Sequence, residues 1–352
     1  MIFFDVLHPY YIPQYLPVAK ELSQRGLKVI FIIYHNNEQQ QATNTVIASE
    51  QLKVVEVQNQ EEALVLYQQE KADWIIFGNA FSAAEQLKGI SKTALMQHGI
   101  GPKACYYTVS EADFDVRFVE GQYRQQRLQE MYPEKTFIDT GYAKLDPIVN
   151  HEEKGLDLLA LGLDPTKPTI LYAPTYYPSS LELMPMNWPL EFSAYNILLK
   201  PHYFSLTKKS YHKQLKRLQH WRKFNNVYLA SENELNLLPF MASADLLISD
   251  ASSAIFEFAA LDKPVVWCNF YKLRWSYRGI FRYRFDKRMD KDLYRCADIA
   301  PQVDAYKELL ATVQQQLAEP ESYSQQRHKY TTELAGIVDG QCSKRIVDYL
   351  LR

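Results

Sequence analysis

Two histidines with a lysine close by come directly after apolar segments that are typical of buried strands. His98 is followed by Gly99 and, at the end of the same loop, by Lys103, whereas His202 follows Lys200 in the segment Lys-Pro-His. An imidazole is a candidate general acid or base near neutral pH, and a lysine can neutralise phosphate charge. A single histidine after a strand is more often structural. Two such loops in separate parts of the chain predict proton transfer on an anionic substrate.

A third candidate is the strand-turn-helix pattern within residues 242–267. An apolar run ends at Ser249-Asp250, and Ser252 and Ser253 then open a predicted helix. The unpaired N–H groups and partial positive charge at a helix N-terminus favour anions, and two serine hydroxyls add further donors. The pattern predicts a phosphate site. An ordinary serine cap is the open alternative.

The elements that must position these residues alternate between short apolar runs and helical patterns. In the first half of the chain the predicted strands are 2–7, 29–34, 54–57, 74–77 and 94–97. In the second half they are 170–173, 197–199, 227–229, 246–248 and 265–267. This alternation is typical of doubly wound parallel sheets, which bind ligands at the carboxyl ends of their strands. The chain is therefore predicted to be an α/β protein.

Two domains are expected from the 352 residues, since a domain averages ~150 residues. The boundary is predicted between Val149 and Lys167, where a charged segment runs into Asp164-Pro165. This gives a first Rossmann-like domain over 1–160 and a second over 165–352. The pattern leaves open whether the last helix returns to the first domain. Two such domains facing each other across a cleft form the architecture of many nucleotide-sugar transferases.

Composition describes an ordinary soluble protein, with a net charge of −2 and 47% hydrophobic residues. The start of the chain lacks a basic leader, and no run approaches the ~20 apolar residues of a membrane span. Four cysteines lie far apart, without metal-ligand or disulfide spacing. A cytoplasmic location is expected, with peripheral attachment to the inner face of the membrane left open. The slightly acidic chain carries no nucleic-acid-binding motif.

A series of motifs in fixed order resembles the CDP-glycerol glycerophosphotransferase family, the TagB and TagF type enzymes of teichoic acid synthesis. The motifs are the loop from His98 to Lys103, Gly141-Tyr142, Tyr-Ala-Pro-Thr at 172–175, Lys-Pro-His at 200–202, the segment 249–264 and Asp-Gly-Gln-Cys-Ser-Lys-Arg at 339–345. They extend over roughly residues 95 to 350. The Ser-Asp-x-Ser-Ser helix start followed by Asp-Lys-Pro is the most specific part.

The resemblance implies a GT-B fold and transfer of glycerol phosphate from CDP-glycerol to a hydroxyl of a membrane-linked glycan or polymer. On this basis His98 is the general base, and His202 holds or protonates the donor pyrophosphate. The implied donor-binding residues are Lys200, Thr175, Asp250, Ser252, Ser253 and Glu257, with Gly99, Lys103 and Pro174 in support. For Glu257, a solvated helix charge is the open alternative. Neither a cofactor nor a metal is expected, because no Asp-x-Asp pair stands where it could chelate.

Other functions remain open at this point. The donor could be another CDP-polyol such as CDP-ribitol, or the chain could be a GT-B nucleotide-sugar glycosyltransferase or a UDP-GlcNAc 2-epimerase-like enzyme. The epimerase pattern expects glycines where the chain has Ala251-Ser252-Ser253-Ala254. A binding protein without catalysis, specific for carbohydrate or membrane, is a third class.

The segment 271–288 bears on the acceptor. Seven Lys or Arg residues alternate there with aromatic residues, and Asp286 is the single acid. Aromatic rings beside cations suit an anionic bilayer surface, where each charge contributes ~1 kcal/mol, and also a polyanionic acceptor. A solvated face with its aromatic rings in the core is the alternative.

Overall fold

The computed structural model describes residues 1–35, 39–101, 105–283, 293 and 295–352. These form two compact units, Met1–Asn150 with Thr332–Arg352, and His151–Thr331. The units divide after Asn150, inside the segment 149–167 in which the sequence pattern predicts the boundary. Residues after Asn150 pack within the second unit, where the Leu156 backbone N–H donates to Ser243 Oγ at 2.6 Å.

The first unit contains a seven-stranded parallel sheet in the order β3-β2-β1-β4-β5-β6-β7. The strands are β1 (Ile2–Val6), β2 (Val29–Tyr34), β3 (Val54–Val57), β4 (Trp74–Phe77), β5 (Lys92–Met96), β6 (Val116–Val119) and β7 (Phe137–Asp139). Its central strands β1 and β4 are buried along their whole length because both faces of the sheet are covered, and Asp5 is their single charged residue. The order reverses between β1 and β4, which creates a switch point at their carboxyl ends.

The second unit contains a six-stranded parallel sheet in the order β10-β9-β8-β11-β12-β13. Its strands are β8 (Thr169–Tyr172), β9 (Asn196–Leu199), β10 (Val227–Leu229), β11 (Leu246–Ser249), β12 (Val265–Cys268) and β13 (Gln302–Val303). The switch point lies between β8 and β11. Two doubly wound parallel sheets confirm the predicted α/β fold class. Strands β6, β7 and β13 were not predicted, and β13 is only two residues long.

Helices connect the strands and cover the sheets. In chain order they are α1 (Ile12–Gln24), α2 (Gln40–Ser49), α3 (Gln60–Glu70), α4 (Cys105–Thr108), α5 (Gln122–Met131), α6 (Asp146–Val149), α7 (Trp188–Glu191), α8 (Tyr203–Thr207), α9 (His212–Trp221), α10 (Leu238–Ser243), α11 (Ser253–Ala259), α12 (Leu309–Ala318), α13 (Ser324–Leu334) and α14 (Cys342–Leu350). In the part of the chain that the structure describes, none of these helices is long and apolar enough to cross a membrane.

The last helix, α14, is built into the first unit. Its residues Ile346, Val347 and Leu350 are buried in the same core cluster as α1 and strands β1, β2 and β4. The buried Asp146 carboxylate accepts hydrogen bonds from the backbone N–H groups of Cys342 at 3.3 Å and Ser343 at 2.7 Å. A carboxylate at these positions satisfies N–H groups that a helix start leaves unpaired. The segments 141–147 and 339–345, distant in sequence, thus lie together.

Replacing Asp146 with alanine is expected to lower the free energy of unfolding by about 2 kcal/mol, because buried N–H groups of α14 lose their acceptor. Urea unfolding measures the change in the free energy of unfolding, and hydrogen exchange of residues 342–350 in the folded protein shows whether α14 is affected. Asp348→Ala on the same helix is the matched control. Its carboxylate makes a surface ion pair with Arg25, which contributes little to stability. Equal effects of the two substitutions would contradict the capping role.

Candidate functional site

In the first unit, His98 lies in the loop that follows β5 and is held among aromatic rings. Its imidazole stacks on Tyr11 with ring centroids 4.7 Å apart and meets Tyr10 edge-on at 4.9 Å. The Tyr142 hydroxyl donates to the His98 carbonyl oxygen at 3.0 Å. The side chain is half-buried. Packing and backbone contacts thus fix the ring while part of it stays open to solvent.

Gly99 is required by the packing of this loop. A Cβ atom at this position would overlap the Tyr106 hydroxyl. Tyr106 is itself buried, and its carbonyl oxygen accepts from Gln97 Nε2 at 2.7 Å, so the ring has little room to move. A side chain at position 99 would therefore force Tyr106 or the loop itself to shift. Lys103, the cation predicted in this loop, lies outside the described residues.

The sequence did not reveal the buried residues that support the His98 loop from the protein interior. Arg124 on α5 is 1% exposed, and its Nη2 donates to the Gly101 carbonyl oxygen at 2.6 Å. The same guanidinium pairs with the carboxylate of the buried Glu120, four residues earlier in the turn before α5. Burial raises the pKa of Glu120, and the neighbouring Arg124 charge opposes that shift. An acid and an arginine four residues apart were the available signal, but only the structure shows that they face inward.

In the second unit, the loops after β8 and β9 are joined through their backbones. The Lys200 N–H donates to the Tyr172 carbonyl oxygen at 2.9 Å, and the His202 N–H donates to that of Pro174 at 3.2 Å. Pro174 is buried, whereas Thr175 is partly exposed. The structure thus brings the Tyr-Ala-Pro-Thr and Lys-Pro-His motifs together at the carboxyl edge of this sheet.

His202 begins helix α8 as its N-cap residue. Its Nδ1 accepts a hydrogen bond from the Phe204 N–H at 3.2 Å, and its ring packs against Tyr176 at a centroid distance of 4.6 Å. Because Nδ1 is the acceptor, the neutral imidazole carries its proton on Nε2. The side chain is exposed. His202 is therefore oriented to donate a proton or hydrogen bond through Nε2.

Asp250, at the end of β11, is completely buried and organises the neighbouring loop. One carboxylate oxygen accepts from the Thr175 N–H at 2.7 Å. The other accepts from the N–H and the hydroxyl of Ser180, both at 2.9 Å. Burial raises the pKa of Asp250 to about 6, although these hydrogen bonds favour the ionised form. The buried carboxylate thus holds the backbone of Thr175 in place through this hydrogen bond.

The predicted serine helix is confirmed as α11. Ser252 is its N-cap, and its Oγ accepts from the Ala254 N–H at 3.3 Å, which is an ordinary capping contact. Ser252 and Ser253 are both partly exposed. Glu257 is 3% exposed, so the alternative that it is a solvated helix charge is wrong. The half-buried Lys200 places its ammonium 5.7 Å from the Phe240 ring centroid.

Comparison with known proteins gives a family match over most of the chain. Residues 90–352 match the family described as CDP-Glycerol:Poly(glycerophosphate) glycerophosphotransferase. The matched region includes the His98 loop, the motifs joined at the edge of the second sheet, and α11. Its extent agrees with the region over which the ordered motifs occur.

Two similar relatives come from Bacillus spizizenii strain W23. The chain is 30% identical to a teichoic acid glycerol-phosphate primase over 161 residues, and 30% identical to a teichoic acid poly(glycerol phosphate) polymerase over 171 residues. Each match covers 44% of this chain and 40% of the relative. The chain therefore spans less than half the length of the relatives that it matches.

Among solved structures, the wall teichoic acid polymerase TagF is similar with a TM-score of 0.68 and 16% identity, over 100% of this chain and 88% of that chain. A UDP-GlcNAc 2-epimerase from Neisseria meningitidis bound to UDP-GlcNAc is similar with a TM-score of 0.64 and 15% identity, over 100% of both chains. At such identities the likeness is one of fold, and it is the GT-B type predicted from the motifs.

The raised pKa of Asp250 gives a testable pH dependence. With a folded-state value of about 6 against an ordinary 3.8, the folded protein binds more protons than the unfolded chain between these values. Its contribution to stability is therefore present below about pH 4 and is lost as the pH rises through 6, a loss of roughly 3 kcal/mol. Urea unfolding at several pH values, compared with Asp250→Asn, isolates this contribution. Parallel stability curves for the two proteins would contradict it.

Proposed function

Because the chain belongs to the CDP-glycerol:poly(glycerophosphate) glycerophosphotransferase family, we propose that it transfers glycerol phosphate from CDP-glycerol to a hydroxyl of a teichoic-acid-type acceptor. The observation that carries this proposal is the extent of the family match, residues 90–352, which contains both histidine loops and α11. The names of the two Bacillus relatives, a glycerol-phosphate primase and a poly(glycerol phosphate) polymerase, support the same donor and polymer.

The proposed reaction is an in-line displacement at phosphorus. The acceptor oxygen forms a bond to the phosphorus that carries glycerol, and the bond from that phosphorus to the bridging oxygen breaks, so that CMP leaves. The acceptor proton passes to the imidazole of His98. His202 donates through Nε2 to the leaving phosphate, in agreement with the hydrogen bond that its Nδ1 accepts. Such transfers depend on positioning and on charge stabilisation more than on covalent help from the protein.

The other residues at the edge of the second sheet have roles in holding the donor. Lys200 neutralises charge on the phosphates, while Ser252, Ser253 and the N–H groups behind them donate to the same oxygens. Thr175 contacts the donor from the neighbouring loop. Asp250, being fully buried, acts by fixing the Thr175 backbone, so we assign it a positioning role.

Four further residues have proposed roles. Glu257 binds the nucleotide ribose, a role taken from other GT-B proteins. Pro174 and Gly99 shape the backbone beside the two histidines. Lys103 is proposed to add positive charge beside His98.

Replacement of either histidine by alanine is expected to lower turnover by about 100-fold or more, since each loses a proton-transfer group. Turnover is measured as CMP release from CDP-glycerol in the presence of acceptor. His328→Ala is the control, because this side chain is 69% exposed and pairs with Asp262. Near-normal turnover in both His98→Ala and His202→Ala would remove the catalytic assignment.

A donor screen with the unaltered protein tests the function itself. CMP release with CDP-glycerol, but not with CDP-ribitol, is the expected result. UDP release or sugar epimerisation with UDP-GlcNAc would overturn the proposal and assign the chain to the enzymes with which it shares a fold.

The acceptor's membrane link is supported by the described part of the segment 271–288. Trp275 is 79% exposed, Ile280 is 85% exposed and Tyr283 is 59% exposed, so these side chains do not belong to the core. Arg274, Arg278 and Arg282 alternate with them. Residues 284–288 lie outside the described residues. Apolar and aromatic side chains between arginines suit an anionic bilayer surface, and we assign this segment to peripheral attachment on the cytoplasmic face of the membrane.

The double substitution Trp275→Ala with Ile280→Ala is expected to weaken binding to vesicles that contain anionic lipid by at least about 10-fold, because both apolar groups leave the interface. Co-sedimentation with these vesicles measures the effect. Leu159→Ala is the control, since Leu159 is 71% exposed in another part of the same unit. Unchanged binding by the double variant would contradict the assignment.

A further inference from the structure

Beside His98 lies a group of rings that the proposed reaction does not use. We call His8, Tyr10 and Tyr11 the aromatic platform. His8 and Tyr10 stack nearly parallel, with centroids 5.1 Å apart and planes at 12°, and Tyr10 meets Tyr11 edge-on at 4.9 Å. Tyr11 in turn stacks on the His98 ring at 4.7 Å. The platform is therefore continuous with the candidate base.

The platform occupies the switch point of the first sheet. Its residues follow β1, and the residues that support it, Gly78 and Asn79, follow β4. These are the two strands between which the strand order reverses. Open parallel sheets bind ligands in the crevice at such a point. This position makes the edge a candidate binding site.

The support beneath the platform is specific. A Cβ atom at Gly78 would lie 2.6 Å from Tyr11 Cδ2 and 2.7 Å from the Tyr15 hydroxyl oxygen, so only glycine allows this packing. Burial raises the pKa of Tyr11, the neighbouring Tyr10 side chain raises it further, and the Asn79 side chain opposes the shift. Tyr11 is 1% exposed, whereas Tyr10 is 42% exposed. The buried ring of Tyr11 thus packs against the exposed ring of Tyr10 and limits its movement.

The chemistry of the platform selects its ligand. Burial lowers the pKa of His8, which favours an uncharged imidazole at neutral pH. The faces of aromatic rings carry negative potential, so they repel phosphate groups and attract apolar or weakly positive C–H groups. One face of a pyranose ring presents such C–H groups. A chain of glycerol phosphates presents an anion in every unit.

We propose that the aromatic platform binds the C–H face of a sugar ring in the acceptor, next to the hydroxyl that His98 deprotonates. This inference rests on the proposed function, because it identifies the acceptor for the same reaction. It makes a hexose-containing acceptor, and not a bare glycerol phosphate chain, the substrate recognised by the first unit.

Two acceptors with the same alkyl group test this inference, an alkyl hexopyranoside disaccharide and an alkyl glycerol phosphate oligomer. Tyr10→Ala is expected to raise the KM for the disaccharide by roughly 3- to 10-fold, the range for loss of one aromatic contact. Its KM for CDP-glycerol and its KM for the oligomer should change less than about twofold, whereas any loss of turnover that follows from the contact of Tyr10 with His98 should be equal for both acceptors. Tyr10→Phe should behave as the unaltered protein, because it keeps the ring. Equal losses with both acceptors, or no loss with either, would overturn the inference.

Saturation-transfer NMR with the disaccharide separates this inference from the proposed function, since it requires no turnover. Binding that is lost in Tyr10→Ala but kept in Tyr123→Ala supports the platform even if CDP-glycerol releases no CMP. Tyr123 is a partly exposed tyrosine on α5 whose hydroxyl accepts from Arg127 at 3.4 Å. No binding of the disaccharide by the unaltered protein would reject the platform, whatever the donor screen shows.

Discussion

Carboxylates buried at the ends of elements are the constraint on which the loops of both units depend. Burying an ionised carboxylate is costly unless donors surround it, so the chain around each one is forced into a single arrangement. Asp250 accepts hydrogen bonds from N–H and hydroxyl groups of the loop after β8. Asp146 accepts hydrogen bonds from backbone N–H groups at the start of α14. Asp5, at the end of β1, accepts from the hydroxyls of Tyr34 and Tyr67 at 2.7 Å each. Burial raises the pKa of Asp5 to about 6.

The two histidines are held in different ways, which fits different tasks. His98 lies among aromatic rings in the first unit, where stacking on Tyr11 fixes the ring plane. His202 is fixed by a hydrogen bond from the backbone of its own helix, which determines the nitrogen that carries the proton. A base needs an unprotonated nitrogen, whereas a group that stabilises a leaving phosphate needs a proton to donate. The surroundings of each histidine are thus consistent with its proposed role.

The likeness to both TagF and an epimerase shows how little the fold alone decides. Both neighbours have similar TM-scores and similarly low identity to this chain. The distinction comes from the residues at the strand ends. At α11 the chain has Ala251-Ser252-Ser253-Ala254 without a glycine, and the family match covers this helix. Function in such folds is carried by the loops that a common sheet positions.

The sequence by itself determined the α/β class, most of the strands, the family and the positions of the histidine and serine loops. Strand periodicity and ordered motifs are local properties of the sequence, so they can be recognised without knowledge of the fold. It did not determine the inward-facing pair of Glu120 and Arg124 or the full burial of Glu257, because a sequence does not show which charged side chains face the protein interior. Contacts between residues distant in the chain, such as Asp146 with α14, are likewise decided only by tertiary packing.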